Sequence, residues 1–143
     1  VMKFNRDVEY ALISLVAIGS ENRRFSAREL SEKYSIPYTL LCKILQRLAA
    51  SGIITSIQGS QGGYIFEGSL GSVTLGDILQ SIQGERHIAP CIDEETDCSL
   101  EEVCTIRGGI TRVQSMWDSF IEKMTLEDFA QTPRTEIPFA NHK

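Results

Sequence analysis

The sequence contains no long hydrophobic run. No apolar stretch approaches the roughly 20 residues that a membrane-spanning helix needs, and the first ten residues, VMKFNRDVEY, lack the apolar core of a secretory signal peptide. We therefore expect a soluble protein of the cytoplasm with no membrane partner. A chain of 143 residues has room for one compact domain with an appended element, but not for two large domains.

Histidine is also scarce, with only His87 and His142 present. A cysteine nucleophile such as Cys91 or Cys104 needs a neighbouring base, and that base must be oriented by a third group. His87 has no evident orienting partner in the sequence, and His142 lies in a proline-containing tail that we expect to be mobile. The sequence thus predicts that the protein is not an enzyme and has no small-molecule substrate.

Charge is distributed unevenly along the chain. The net charge is -5, yet residues 23–64 carry six basic and two acidic side chains, whereas residues 91–143 carry five basic and eleven acidic ones. Such asymmetry indicates a nucleic-acid surface joined to a part of different purpose. The alternative is that these charges belong to ordinary solvated faces.

Two helical patterns occupy the first quarter of the chain. Apolar residues recur at helical spacing over residues 8–18 and spread beyond one face, which indicates a helix buried on two sides. Ser26 followed by Glu29 is the reciprocal capping pattern that begins a helix, and this second helix is expected to end near Tyr34.

A third helix and a hairpin follow. Pro37 suits the first turn of a helix that Gly52 ends, and residues 53–66 (IITSIQGSQGGYIF) form two β-branched and aromatic runs around a glycine-rich turn. This order predicts a winged helix-turn-helix. Thr74 and Asp77 then cap a fourth helix. The fold class expected is mainly α with a small β-hairpin.

In a helix-turn-helix, the second helix of the motif presents polar residues of its N-terminal part to base edges, while nearby cations contact phosphates. The hairpin tip is expected to lie in or along the minor groove. The alternative is that the motif serves only as a protein-interaction platform. The predicted DNA-binding residues are Tyr38, Thr39, Cys42, Lys43, Arg47, Arg28, Gln58, Ser60 and Gln61.

Apolar residues near the C-terminus recur at alternating steps of three and four, a pattern that suits helix-on-helix packing. Little of the chain remains to cover them, so we expect self-association; packing against the chain's own domain is the alternative. The predicted seam begins at Val103, and its dimerisation residues are Ile106, Ile110, Val113, Trp117, Phe120 and Met124. The domains expected are a winged helix-turn-helix (1–84), a cysteine-rich loop (85–104), a dimerisation helix with its cap (105–130) and a mobile tail (131–143).

Three of the four cysteines lie in the acidic segment CIDEETDCSLEEVC, at C-x6-C-x5-C spacing. Disulfides are disfavoured because three is odd and the compartment is expected to be reducing. Structural zinc usually shows closer pairs, and packing cysteines prefer apolar surroundings. Soft thiolates on a long loop suit an iron–sulfur cluster, which is larger than one metal ion. Cluster, zinc and unliganded cysteines all remain open from spacing alone.

The chain resembles the Rrf-two family of bacterial transcription regulators over about residues 3–130. The motifs that carry the resemblance are VEYAL, LLCKILQRLAASGII, QGSQGGY and LGDIL, together with the three cysteines. The resemblance implies a homodimeric winged-helix protein that binds a palindromic promoter site in double-stranded DNA. It also implies a two-iron or four-iron cluster on the loop before the dimer helix, bound by Cys91, Cys98 and Cys104.

Two departures from the family pattern concern the ligands and the wing. Some members place a ligating histidine three residues after the last cysteine, where this chain has Arg107, which has no lone pair to donate. Other members use a first-helix carboxylate supplied across the dimer, which matches Glu9 here; His87 is the next candidate. Redox-sensing members add a histidine at the position of Ile13, so that arrangement is not expected. Gln58 replaces a wing arginine, which should change the operator preference.

These observations predict a regulator that senses redox state, iron–sulfur status or nitric oxide through an iron–sulfur cluster and alters its promoter binding accordingly. The alternative is a winged-helix repressor that holds zinc or no cluster.

Overall fold

The structure is a computed structural model, and it describes residues 4–84, 86–93, 95 and 97–132. Within these residues the fold is mainly helical with one antiparallel hairpin, as the sequence predicts. In chain order the elements are α1 (Arg6–Glu21), α2 (Ala27–Tyr34), α3 (Tyr38–Ala50), β1 (Thr55–Ile57), β2 (Gly63–Ile65), a 3-10 turn (Leu70–Ser72), α4 (Leu75–Gln83), a second 3-10 turn (Pro90–Ile92), α5 (Arg107–Lys123) and α6 (Leu126–Gln131).

The core forms around α1, which contacts α3, α4 and α6. Asn5 caps the start of the helix, and its side chain accepts a hydrogen bond from the Val8 amide at 3.0 Å. Its apolar spacing places one broad face in the interior, as predicted for a helix covered on two sides. Fully buried side chains of this core include Val8, Leu15, Ile18, Phe25, Leu30, Leu41, Leu45, Leu48, Ile78 and Leu79.

The turn between α2 and α3 sets the helix-turn-helix geometry. Ser26 Oγ accepts from the Glu29 amide at 3.1 Å and begins α2. Glu29 does not complete the predicted capping box, because its carboxylate accepts instead from the Arg23 guanidinium at 2.6 Å. Ser35, with a φ of 54°, ends α2, and Pro37 stands immediately before α3. Gly52, with a φ of 78°, follows α3 as predicted.

The hairpin is fastened to the segment between α1 and α2. Its strands pair antiparallel, with Thr55 opposite Ile65 and Ile57 opposite Gly63. Phe25 and Tyr64 exchange two backbone hydrogen bonds of 3.0 and 2.8 Å. Gly63 permits this approach, since a Cβ there would lie 2.6 Å from the Phe25 carbonyl oxygen. The wing is therefore held against the helix-turn-helix.

The starts of α4 and α6 are tied together. Thr74 and Asp77 form the predicted capping box, and the Asp128 carboxylate accepts from the Thr125 amide at 2.8 Å. A β-bridge joins Thr74 to Thr125, and the Leu75 amide donates to the Met124 carbonyl at 2.7 Å. This bridge anchors the end of α5 to the winged domain.

Helix α5 is shorter than the predicted seam. It begins at Arg107, two residues after the expected limit at residue 105, so Val103, where the predicted seam begins, lies before the helix. The residues before it form turns instead, with the Glu101 amide donating to the Cys98 carbonyl at 3.1 Å and Val103 to Leu100 at 3.0 Å.

One side of α5 packs on its own domain. Ile121 is fully buried and Gln114 is 6% exposed, while Trp117 and Met124 pack partly buried against the core. Part of the predicted seam therefore packs against the chain's own domain, because α4 covers that side of α5.

No helix in the described part of the chain is long and apolar enough to cross a membrane. Residues 133–143 of the predicted mobile tail lie outside the described residues. Its first residue, Gln131, ends α6.

Candidate DNA-reading surface and cysteine cavity

The exposed face of α3, here called the reading helix, carries most of the predicted base-contacting residues. Tyr38 is 42% exposed, and Thr39 and Lys43 are also exposed. The Arg28 guanidinium of α2 stacks on the Tyr38 ring, 4.2 Å from its centroid. This cation–π contact fixes Tyr38 and places a cation beside the N-terminus of the reading helix.

Cys42 lies on the reading helix but is only half-exposed, and its surroundings include Tyr64 of the wing. Burial raises the pKa of Tyr64, and the nearby Cys42 and Tyr38 raise it further. Cys42 therefore lies near the junction between reading helix and wing.

Arg47 has an intramolecular role that the sequence pattern did not indicate. Its Nη1 donates to the Ile82 carbonyl, near the end of α4, at 3.1 Å. Beside it, the Ser51 and Ser81 hydroxyls are 2.7 Å apart. These contacts bind the C-terminal turn of the reading helix to α4. The role of Arg47 in phosphate binding remains a prediction.

The wing tip is exposed. Gln58, Ser60 and Gln61 all lie on its surface, and the Gln58 amide donates to Ser56 Oγ at 3.1 Å. The Arg24 guanidinium donates to the Gln61 carbonyl and, at 2.9 Å, to the Gly62 carbonyl. Arg24 thus stabilises the backbone of the wing tip through these hydrogen bonds.

All three clustered cysteines line one cavity of about 490 Å³, here called the cysteine cavity. Cys91 sits in the 3-10 turn Pro90–Ile92, Cys98 in the turns that follow, and Cys104 just before α5. Each is half-exposed and free. The remaining lining combines apolar and acidic side chains, among them Ile92, Leu100, Ile106, Ile110, Asp93, Asp97 and Glu101.

The chemistry of this cavity favours a group larger than one ion. In residues 4–84, 86–93, 95 and 97–132, no group of three or more His, Cys, Asp or Glu side chains is arranged to hold a single metal ion. Three soft sulfur ligands around one cavity nevertheless match the ligand preference of iron–sulfur clusters. The residues present therefore fit such a cluster better than a compact zinc site.

Arg107 contributes a positive charge to the cysteine cavity. Its Nη1 donates to Glu101 Oε1 at 2.8 Å. This hydrogen bond and the charge of Glu101 raise the pKa of Arg107, and the nearby Cys91 and Cys104 raise it further. A guanidinium cannot ligate a metal, but it stabilises negative charge on neighbouring sulfurs.

The two candidates for a fourth ligand stand apart from the cysteines. Within the described part of this single chain, neither Glu9 nor His87 lines the cysteine cavity. Glu9 lies on α1 with its side chain 44% exposed, and it pairs with Arg6 of the same helix at 2.5 Å. His87 is exposed in the segment before Cys91.

The outward side of α5 carries large exposed apolar residues. Val113 is 51% exposed, Phe120 is 52% exposed, and Ile106, just before the helix, is 63% exposed. Met116, at 65%, belongs to the same side but was missed, although its spacing of three and four from Val113 and Phe120 was a usable signal. We call these four residues the outer face of α5. Ile110 is half-buried beside it.

The sequence pattern of the Rrf2 family, described as "Iron-dependent Transcriptional regulator", matches residues 4–132. The chain belongs to the Rrf2 family. Rrf2 proteins are DNA-binding transcription regulators and not enzymes, so the predicted family and the predicted lack of enzymatic activity are confirmed.

Individual Rrf2 relatives are distant in sequence but similar in fold. The HTH-type transcriptional regulator NsrR of Halalkalibacterium halodurans is 24% identical over 123 residues, covering 85% of this chain and 84% of the relative. CymR, the global cysteine regulator of B. subtilis, has a TM-score of 0.71 at 20% identity, with 91% of this chain and 97% of CymR covered. IscR of T. potens has a TM-score of 0.61 at 20% identity, with 94% of both chains covered.

Proposed function

We propose that this Rrf2 protein is a homodimeric transcription regulator that senses redox state, iron–sulfur status or nitric oxide through an iron–sulfur cluster. The observation that carries the proposal is the cysteine cavity, where Cys91, Cys98 and Cys104 face one space. The family description as iron-dependent agrees with it. When bound, the cluster would supply a site that changes oxidation state or reacts with the signal.

The protein's part in this chemistry is to bind, orient and tune. The three thiolates provide soft ligands on turns that can adjust to a bound group. Arg107 balances negative charge at Cys91 and Cys104. The apolar Leu100 and Ile106 line the same space.

Glu9 from the partner chain is the proposed fourth ligand. Its ion pair with Arg6 is local and exposed, since the Arg6 side chain is 70% exposed. Exposed pairs of this kind contribute little to stability, so Glu9 can exchange Arg6 for another partner at small cost. His87 is the alternative ligand.

The dimer is proposed to form through the outer face of α5. Large apolar side chains grouped on one side of a helix, which the described residues of the chain leave exposed, favour association with a second copy. A two-fold dimer would present two reading helices to a palindromic site, with half-sites about 34 Å apart, one turn of DNA. A regulator of promoter DNA acts where the chromosome is, so we assign it to the cytoplasm.

The test is to purify and reconstitute the protein without oxygen and to record its visible absorption and DNA affinity before and after exposure to oxygen or nitric oxide. A suitable probe is a duplex selected by the protein from a random-sequence library. We expect charge-transfer absorption that bleaches together with a change in affinity. A colourless protein with unchanged affinity would contradict the sensing function.

A second candidate function is a repressor that holds zinc or no cluster. It is favoured by the structural similarity to CymR, which is described as the global cysteine regulator of B. subtilis. Metal analysis of protein purified without oxygen separates the candidates. One zinc per chain, or no metal at all, supports this alternative.

A further inference from the structure

Gln114 is a buried polar residue in the middle of α5, and it binds a segment outside that helix. It is 6% exposed. Its Nε2 donates to the Arg86 carbonyl at 3.0 Å and to Asp118 Oδ1 at 2.8 Å, while its Oε1 accepts from the Ile88 amide at 2.8 Å. Leaving any of these buried groups unpaired is unfavourable, so the amide holds residues 86–88 against α5.

The segment that Gln114 holds leads directly to the cysteine cavity. Ile88 is three residues before Cys91, whose 3-10 turn packs against α5. The same cavity is lined by Ile110, one turn before Gln114 on α5. Gln114 therefore holds the segment that precedes Cys91 against α5.

In the other direction, the same segment leads to the reading helix. Gly84 ends α4, and two residues later the Arg86 guanidinium pairs with Glu122 of α5. The last turn of α4 is bound to the reading helix through Arg47 Nη1 and the Ile82 carbonyl, 3.1 Å apart. These hydrogen bonds, together with the packing of α4 against α5, connect the segment before Cys91 with the C-terminal turn of the reading helix.

We infer that Gln114 is the positioning residue that couples the cysteine cavity to the reading helix. The inference rests on the proposed function and adds the residue through which a change at the cysteine cavity would reach the reading helix. Because residues 86–88 are fixed at both carbonyl and amide, a displacement of Cys91 moves α5 and the end of α4 together. Without Gln114, the loop would absorb that displacement.

The decisive variant is Gln114→Met, which keeps the side-chain length and removes the hydrogen bonds. Gln80→Met is the matched control, since Gln80 is exposed on α4 and makes only a 3.4 Å bond to the Gly84 carbonyl. Affinity for the selected duplex is measured for cluster-loaded and cluster-free protein. The ratio of the two affinities is the coupling factor.

We expect the coupling factor of Gln114→Met to fall to within about twofold of 1, the value for uncoupled sites, while Gln80→Met keeps the wild-type factor. An unchanged factor in Gln114→Met overturns the inference. Failure of a folded Gln114→Met protein to retain iron and sulfide supports it, because Cys91 would then have lost its position. If Gln114→Met does not fold, Gln114→Glu replaces it, because this variant keeps an acceptor for the Ile88 amide and removes the donor to the Arg86 carbonyl. An unchanged coupling factor in Gln114→Glu also overturns the inference.

A second measurement does not depend on the cluster. Hydrogen exchange of the Ile88 amide in cluster-free protein should accelerate in Gln114→Met, because that amide loses its acceptor. Unchanged exchange overturns the inference. If wild-type protein takes up no iron and sulfide, the proposed function fails, and exchange at Ile88 alone decides the positioning role.

Discussion

Arg107 Nη1 donates to Glu101 Oε1 at 2.8 Å, and both residues line the cysteine cavity. The pair fixes a guanidinium beside Cys91 and Cys104, as the direction of the Arg107 pKa shift reflects. This chain therefore has a fixed positive charge beside two of the three clustered cysteines. That charge stabilises electron density on bound sulfur ligands.

Replacing Arg107 by Gln is expected to lower the reduction potential of the bound cluster, because the reduced form loses a nearby positive charge. For one electron, 59 mV corresponds to a tenfold change in equilibrium, and we expect a shift of about that size or less. Redox titration followed by visible absorption measures it. Arg112→Gln, on the exposed side of α5, should leave the potential unchanged; a rise in potential for Arg107→Gln would be contrary to this account.

Glu9→Ala is expected to alter the visible spectrum of the cluster-loaded protein, although the protein should still bind the cluster and remain coloured. The remaining cysteines still bind iron, but one oxygen ligand is lost. Glu32→Ala, an exposed carboxylate of α2, is the control and should have the wild-type spectrum. If the Glu9→Ala spectrum equals the wild-type spectrum, the partner's carboxylate is not a ligand.

Lys43→Ala is expected to weaken binding to the selected duplex by about 1–3 kcal/mol, the range for loss of a base contact. Binding to an unrelated duplex should change less. Fluorescence anisotropy with both duplexes at one salt concentration tests this, with Lys123→Ala of α5 as control. Equal losses on both duplexes would assign Lys43 to phosphate contact instead.

Phe120→Asp is expected to dissociate the dimer, because it places a charge in the outer face of α5. Ser115→Asp adds the same charge to the exposed opposite side of the helix and should remain dimeric. Sedimentation velocity distinguishes monomer from dimer.

Ile121→Ala tests the packing of α5 on its own domain. It removes a fully buried side chain and should lower the free energy of unfolding by about 2–5 kcal/mol.

Local signals predicted much of the fold correctly. Pro37 before α3, Gly52 after it, and the Thr74–Asp77 capping box are interactions between near neighbours in sequence, so residue type and spacing are enough to predict them. The winged arrangement followed from the order of these elements. The predicted seam began at Val103, which lies outside α5, because the turns from Cys98 to Val103 replace the helical continuation that apolar spacing alone suggested.

The contacts between distant segments could not be predicted. Arg47 was expected at phosphate, but its bond to the Ile82 carbonyl joins residues 35 positions apart. The role of Gln114 depends on backbone groups 26 and 28 residues away. A polar residue on a helix carries no sequence signal for such partners, since any backbone group can accept or donate.

The candidate site was predicted in part. The triad of cysteines was identified by number and spacing, and the structure brings all three to one cavity. The charge of Arg107 beside them required the fold, because its position in sequence indicated only that it cannot ligate. Whether Glu9 meets the cavity depends on a second chain.

The most direct test of the central claim is the iron and acid-labile sulfide content per chain of protein reconstituted without oxygen, compared among wild type, Cys98→Ala and Cys42→Ala. We predict iron and sulfide in near-equal amounts for wild type and Cys42→Ala, since Cys42 lies outside the cysteine cavity, and their loss in Cys98→Ala. Iron-poor wild-type protein, or Cys98→Ala protein that retains both elements, would contradict the claim.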